Sequence, residues 1–251
     1  MIGQRKKLIA GNWKMNGLLG DAEYLADKLA SRNIQNSKTE VVIFPPFLHI
    51  SAVARIVQKA NIKVGGQNCS ALKSGANTGE ISCEMLLDVG CSHVLVGHSE
   101  RRSLHGETET SVANKYAAAL DVGLTPILCV GESLEQHDLG KTQEVVLRQL
   151  SAVKETVGLG GLCSGIIAYE PLWSIGTGLA ALPSQAQSVH KTIRSCLGSS
   201  GAKTRVLYGG SLNSENSLAM FVEKDIDGGL VGGASLRSEE FLRIIKLAEQ
   251  L

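Results

Sequence analysis

A carboxylate that could act as a base stands at position 170, directly after an apolar run. Residues 165–169 read as a buried strand, and Pro171 prevents that strand from continuing past Glu170. The stretch that follows combines a proline, a tryptophan and two glycines, as in a loop that closes over a site as one packed piece. The residues of this candidate lid are Pro171, Leu172, Trp173, Ser174, Ile175, Gly176, Thr177 and Gly178. From this stretch alone, the alternative is a solvated glutamate before an ordinary surface loop.

A histidine occupies a comparable place after another apolar run. His98 follows residues 93–96, and the next two residues, Ser99 and Glu100, predict the start of a short helix. The positive end of that helix would favour a neutral imidazole, which can donate a hydrogen bond to a carbonyl group. The alternative is a core histidine bonded to the backbone. Glu100 can either support the two arginines that follow it or shuttle protons, and the sequence leaves both roles open.

The first loop and the last two carry groups that suit an anion. Lys14 follows the first apolar run, where its ammonium could meet a phosphate or a developing oxyanion, although a lone lysine is more often a surface residue. Residues 209–211 and 232–235 are glycine-rich and follow the seventh and eighth runs. Because glycines let the backbone approach a ligand closely, these two loops together predict a phosphate cradle.

Strand-like and helix-like patterns alternate along the whole chain. The strand-like runs are residues 7–10, 41–44, 62–65, 93–96, 126–130, 165–169, 205–208 and 229–231. Helical stripes lie between them, for example Phe241, Ile244, Ile245 and Ala248. Strands that are apolar on both faces and alternate with helices belong to parallel sheets. The sequence therefore predicts an α/β fold, a single (β/α)8 barrel with a closed parallel eight-stranded sheet, forming one domain over residues 1–251. An open doubly wound sheet is the structural alternative, but no Gly-x-Gly-x-x-Gly motif follows the first run.

The amino-acid composition indicates which binding partners and which cellular compartment to expect. Lys and Arg number 25 against 24 Asp and Glu, and this balance gives no reason to expect nucleic acid or an anionic membrane as a partner. Six cysteines occur without a Cys-x-x-Cys pair, so we expect free thiols in a reducing cytoplasm and no metal site.

Five motifs, in order and spacing, resemble the signatures of the triosephosphate isomerase family, whose fold is the TIM barrel. They are Ala10-Gly-Asn-Trp-Lys-Met-Asn16, Gly97-His-Ser-Glu-Arg-Arg102, Ala168-Tyr-Glu-Pro-Leu-Trp-Ser-Ile-Gly-Thr-Gly178, Tyr208-Gly-Gly-Ser211 and Leu230-Val-Gly-Gly-Ala-Ser235. The resemblance implies an enzyme of glycolysis and gluconeogenesis that interconverts dihydroxyacetone phosphate and D-glyceraldehyde 3-phosphate. It implies no metal or organic cofactor.

The resemblance also implies a role for each motif residue. Glu170 would be the base, His98 would polarise the carbonyl, and Lys14, held by Asn12, would supply positive charge, with Glu100 as a further catalytic residue. Substrate binding would fall to Asn12, Trp13, Lys14, Gly176, Ser211, Gly232 and Gly233.

The polar stretch of residues 70–80, called the arm below, is long for a barrel connection. Composition alone does not separate a disordered tip from a docking segment. The resemblance implies that Thr78, Gly79 and Glu80 form its tip and insert into a second subunit, so we expect a homodimer. Asn77 stands where the family commonly has an aromatic residue, and Leu179 stands where it usually has a lysine. We expect Asn77 to weaken the contact between the two subunits and Leu179 to shift the equilibrium between the open and the closed lid.

Two rival functions remain at this point. Another phosphate-binding barrel enzyme, such as an aldolase or a synthase, would need a Schiff-base lysine or a metal cluster at the strand ends. A non-catalytic barrel kept for binding is the other alternative.

Overall fold

A computed structural model describes residues 5–32, 38–174 and 181–251. In these ranges parallel strands pair in chain order, and β1 pairs with both β2 and β8, so the sheet closes on itself. The strands are β1 (Leu8–Asn12), β2 (Glu40–Phe44), β3 (Ile62–Gly66), β4 (His93–Val96), β5 (Thr125–Val130), β6 (Ile166–Tyr169), β7 (Val206–Tyr208) and β8 (Gly228–Val231). Every predicted run overlaps one of these strands, and the predicted closed barrel is confirmed over the open sheet.

Helices follow the strands and form the outer layer. They are α1 (Leu19–Ala30), α2 (Ile50–Val57), α3 (Cys83–Asp88), α4 (Ser99–His105), α5 (Glu109–Asp121), α6 (Leu134–Asp138), α7 (Thr142–Ser164), α8 (Pro183–Leu197), α9 (Ser217–Phe221) and α10 (Ser238–Ala248). The predicted stripe on α10 is buried along its length. In α7 the backbone kinks at Gly158, whose φ is 72°. No helix within the described ranges combines the length and the apolar character needed to cross a bilayer.

The core has two layers, which explains why the strands are apolar on both faces. Side chains such as Leu8, Ala10 and Phe44 pack inside the barrel. Their neighbours Ile9 and Ile43 point outward and pack under the helices. Since successive side chains of a strand face opposite sides, each strand supplies both layers. The packed interior leaves the carboxyl ends of the strands as the place where polar side chains converge.

Candidate active site

A cavity of about 350 Å³ opens at the carboxyl ends of the strands. The residues that line it are Asn12, Lys14, His98, Glu170, Gly209, Gly210, Ser211, Leu212, Asn213, Leu230, Gly232, Gly233, Ala234 and Arg237. Four of the five candidate catalytic residues, from three different strand ends, therefore meet in one place. Among the described residues, Lys14 is the only lysine in the lining.

Glu170 lies at the end of β6 with only 2% of its surface exposed. Its Oε2 accepts a hydrogen bond from the backbone N–H of Ser99 at 2.9 Å, and its Oε1 lies 3.1 Å from Nε2 of His98. The backbone N–H of Glu170 donates to the carbonyl of Val130 at 2.7 Å and so fixes the start of the side chain. Both carboxylate oxygens therefore have partners inside the site.

His98 caps the N-terminus of α4, which begins at Ser99 as the sequence predicts. Its Nδ1 accepts a hydrogen bond from the backbone N–H of Glu100 at 3.2 Å. A ring nitrogen that accepts such a bond carries no proton, so this contact assigns the proton of the neutral ring to Nε2. The Nε2–H group faces Glu170 and can donate into the cavity.

Lys14 is held in a backbone conformation that only glycine adopts readily, with φ at 54°. Its N–H donates to Oδ1 of Asn12 at 3.0 Å, and its carbonyl accepts from Nε2 of Gln67 at 2.8 Å. The ammonium lies 2.5 Å from Oε1 of Glu100. Hydrogen bonds from and to side chains thus hold the main chain of Lys14 in a position from which Nζ reaches the cavity. The positive φ of Lys14 is a backbone strain that is typical of functional sites.

The glycine-rich loops after β7 and β8 leave their backbone open to the cavity. A Cβ added at Gly233 would meet nothing within 4 Å, and one at Gly232 would lie 3.5 Å from Cε of Lys14. On the other loop, the N–H of Ser211 lies 3.4 Å from Oγ of the fully buried Ser174. A small anion could therefore approach the main chain of both loops beside the Lys14 ammonium.

Two glycines, Gly131 and Gly209, leave the space that Glu170 occupies. A Cβ at Gly131 would lie 1.8 Å from the carbonyl oxygen of Glu170, which is closer than any real contact. A Cβ at Gly209 would lie 2.9 Å from Cγ of Glu170. The carboxylate can be buried here because neither neighbouring strand end carries a side chain.

A buried carboxylate that sequence reasoning missed anchors the start of the candidate lid. Glu132 is fully buried, and its Oε1 accepts hydrogen bonds from the Tyr169 hydroxyl at 3.0 Å and from Nε1 of Trp173 at 2.8 Å. Burial raises the pKa of Tyr169, and the charge of Glu132 raises it further. Glu132 follows β5 at the same end of the barrel as His98 and Glu170, and this position is the sequence signal that points to it.

Several other predicted site residues lie elsewhere or outside the described ranges. Trp13 is 1% exposed and packs in the outer core layer, so its side chain does not line the cavity as the substrate-binding prediction requires. The reason is strand alternation: Asn12 faces the barrel mouth, and its neighbour faces the helices. Of the candidate lid, Leu172–Ser174 form one helical turn, while residues 175–180, with Ile175, Gly176, Thr177, Gly178 and Leu179, lie outside the described residues.

The arm folds back at its base, where the N–H of Ser70 donates to the carbonyl of Ile81 at 2.8 Å. Its tip residues Thr78, Gly79 and Glu80 are exposed and do not line the cavity. Within the described ranges, no three His, Cys, Asp or Glu side chains are grouped to hold a metal ion.

Fold and site together define a (β/α)8-barrel protein with a carboxylate, an imidazole and an ammonium beside glycine-rich loops. The family profile of triosephosphate isomerase matches residues 7–248. A triosephosphate isomerase of Alcanivorax borkumensis is 47% identical over 249 residues, which cover 98% of this chain and 99% of the relative. One from Pseudomonas fluorescens is 48% identical over 250 residues, covering 97% and 99%. The chain belongs to the triosephosphate isomerase family.

Proposed function

We propose that this chain is an isomerase that interconverts dihydroxyacetone phosphate and D-glyceraldehyde 3-phosphate, a step of glycolysis and gluconeogenesis. The observation that carries the proposal is the contact of Glu170 with His98 at 3.1 Å in a cavity that also receives Lys14. Membership of the family supports the same reaction, since the relatives carry the name triosephosphate isomerase. A non-catalytic barrel would have no need to keep these three groups together.

The reaction moves one proton between two adjacent carbons and a second proton between the oxygens that those carbons carry, and Glu170 is the base for the first transfer. It takes a proton from the carbon beside the substrate carbonyl and returns it to the former carbonyl carbon. Both of its oxygens are bonded to Ser99 and His98 before substrate arrives. The carboxylate must therefore exchange these partners for the substrate, and this exchange leaves Nε2 of His98 free to bind the substrate oxygen.

His98 and Lys14 stabilise the enediolate that forms between the two proton transfers. The Nε2–H of the neutral imidazole donates to the oxygen on which charge develops, and the Lys14 ammonium lies in the same cavity. Glu100 serves both groups: its N–H fixes the tautomer of His98, and its carboxylate holds Lys14. We assign Glu100 to positioning on this basis.

The phosphate group of the substrate binds at the glycine-rich loops. The amides of Ser211, Gly232 and Gly233 supply donors, and Lys14 contributes a positive charge nearby. Gly176 is also expected to bind the substrate, and it lies outside the described residues.

The test compares isomerase activity, followed in a coupled assay, for the wild type, Glu170→Ala and Glu170→Asp. We expect kcat to fall by about four powers of ten or more in the alanine variant, because the base is lost, and by about two to three in the aspartate variant, whose carboxylate is retracted by one bond. Binding of a phosphorylated enediolate mimic, measured by calorimetry, checks that the site is still formed. Equal activity in all three proteins would contradict the assignment of Glu170.

We infer that residues 1–251 act as one domain and that two copies associate through the arm and the loops around Lys14. The six cysteines are free thiols, which fits a cytoplasmic enzyme.

A further inference from the structure

Two buried thiols lie at the base of the arm, away from the catalytic cavity. Cys69 lies shortly after β3 and Cys83 is the first residue of α3, and each is 1% exposed. Both side chains belong to the same buried cluster, and Sγ of Cys69 lies 3.9 Å from the carbonyl oxygen of Lys115. The main chain brings them together, because Ser70 N–H bonds to the carbonyl of Ile81, and Sγ of Cys83 lies 3.8 Å from the Ser70 carbonyl oxygen.

A second cavity leads from the surface to Cys83. It has a volume of about 310 Å³ and lies between the first residues of the arm, the start of α3 and one face of α5. Cys83 is in its lining, together with Lys73, Glu84 and Asp121. A molecule as small as hydrogen peroxide fits this space, and the two carboxylates disfavour an anionic oxidant.

We propose that Cys69 and Cys83 form a hydroperoxide-sensitive dithiol, whose disulfide closes the base of the arm. The Cys83 thiolate attacks one peroxide oxygen, so that an S–O bond forms, the O–O bond breaks, and hydroxide leaves and takes a proton to become water. The Cys69 thiol then attacks the sulfur of this sulfenic acid and gives up its proton, an S–S bond forms, and the second oxygen leaves with that proton as water. Two thiols are oxidised by two electrons and one peroxide is reduced to two waters.

The local chemistry sets the order of the two steps. The interaction between the two thiols lowers the pKa of Cys83 and raises the pKa of Cys69. Cys83 also lines the cavity, whereas Cys69 does not. Cys91 provides a comparison, because it is 3% exposed and burial raises its pKa to about 12. Cys91 should stay reduced under conditions that oxidise the pair.

The disulfide would enclose the arm in a covalent ring that runs from Cys69 to Cys83. Ring closure restrains the local opening that a protease needs, so cleavage after the exposed Lys73 should become slower. When cleavage does occur there, the two fragments should remain joined until a reductant is added.

Peptide mapping of peroxide-treated full-length protein tests the proposal. After denaturation and trypsin digestion without reductant, Cys69 lies in the peptide of residues 64–73, and Cys83 lies with Cys91 in residues 74–101. We expect these two peptides to be joined in the wild type and equally in Cys91→Ser, and to separate on reduction. In Cys69→Ala the link should be lost, and a sulfenic acid probe should label Cys83 instead.

The proposal fails if the wild type yields separate peptides whose cysteines are all still alkylated, or if the link disappears in Cys91→Ser. It also fails if Cys83 is oxidised to sulfinic acid while Cys69 stays free. These outcomes are read from the wild type and Cys91→Ser, so they do not depend on the folding of the Cys69 variant. Isomerase activity is not the readout, and loss of the proposed function would leave this test intact.

Discussion

Glu170 can be buried beside His98 because the neighbouring strand ends have no side chains. A Cβ at Gly209 would approach Cγ of Glu170 to 2.9 Å and the carbonyl oxygen of Tyr169 to 3.2 Å. The φ of Gly209 is not in the left-handed region, so alanine can adopt its backbone conformation. The glycine is needed here for space and not for its backbone freedom.

We expect Gly209→Ala to reduce kcat by about 10- to 100-fold, because the added methyl group displaces the carboxylate of Glu170 from the position it uses as a base. Thermal unfolding and steady-state kinetics should show the loss in kcat without a comparable loss of folded protein. Gly20→Ala is the matched control, since a Cβ there meets nothing within 4 Å. Unchanged kcat in Gly209→Ala would show that Glu170 has room to adjust.

At the scale of the elements, the strands could be predicted because burial on both faces makes each of them a short apolar run. The closed barrel was predicted from the number and order of the strands. Lys14, His98 and Glu170 were singled out because each follows the end of a predicted strand. The sequence did not show which way each end residue points. For this reason the sequence does not show that the Trp13 side chain packs under the helices, and it does not single out Glu132 and the backbone N–H of Ser99 as partners of the site.

The opposite end of the barrel carries an ion cluster that joins four strands. Glu40 on β2 accepts hydrogen bonds from Lys63 on β3, at 2.9 Å, and from Arg205 before β7. His93 on β4 lies 3.6 Å from the same carboxylate. Burial alone would raise the pKa of Glu40, but the hydrogen bonds and charges of Lys63 and Arg205 lower it to about 2. Burial lowers the pKa of His93 to about 4.

This cluster predicts how stability depends on pH. The folded-state pKa of Glu40 is lowered, so its contribution is present above the unfolded-state value near 4.3 and is lost as the pH falls towards 2. We expect Glu40→Gln to lower the free energy of unfolding by about 2 kcal/mol at pH 7 and by progressively less below pH 4.5. Urea denaturation at pH 7, 5, 4 and 3 measures both differences.

The control for the acid series is Glu239→Gln, which removes a surface ion pair with Arg32 and should change stability by less than about 0.5 kcal/mol at every pH. A Glu40→Gln penalty that stays constant from pH 7 to pH 3 would mean that packing, and not the charge of Glu40, is what the variant loses. Because His93 takes up a proton near pH 6.5 in the unfolded state but only near pH 4 in the folded state, the wild type and Glu40→Gln should both lose stability as the pH falls from 6.5 to 4.

At the scale of the whole molecule, large apolar side chains are exposed on three neighbouring loops. Met15 after β1, Leu48 after β2 and Leu72 after β3 have 95%, 91% and 56% of their surface exposed. Because β1, β2 and β3 are adjacent in the sheet, these loops lie side by side at one edge of the barrel mouth, next to Lys14. Large apolar side chains exposed on neighbouring loops are typical of an interaction site, and a second copy of the chain is the partner we propose.

This surface leads to a prediction about assembly. We expect the wild type to sediment as a dimer at micromolar concentration and Leu48→Asp to shift the equilibrium towards monomer by at least about 100-fold, because each dimer would bury two charged groups in place of two leucines. Val222→Asp places the same charge on a residue with 59% exposure at the end of α9, which leads into the opposite end of the barrel, and should leave the dimer intact. Since Lys14 and Met15 are adjacent, kcat should fall with the fraction of monomer as the Leu48 variant is diluted. A wild type that is monomeric yet fully active at micromolar concentration would contradict both the dimer and its role at the site.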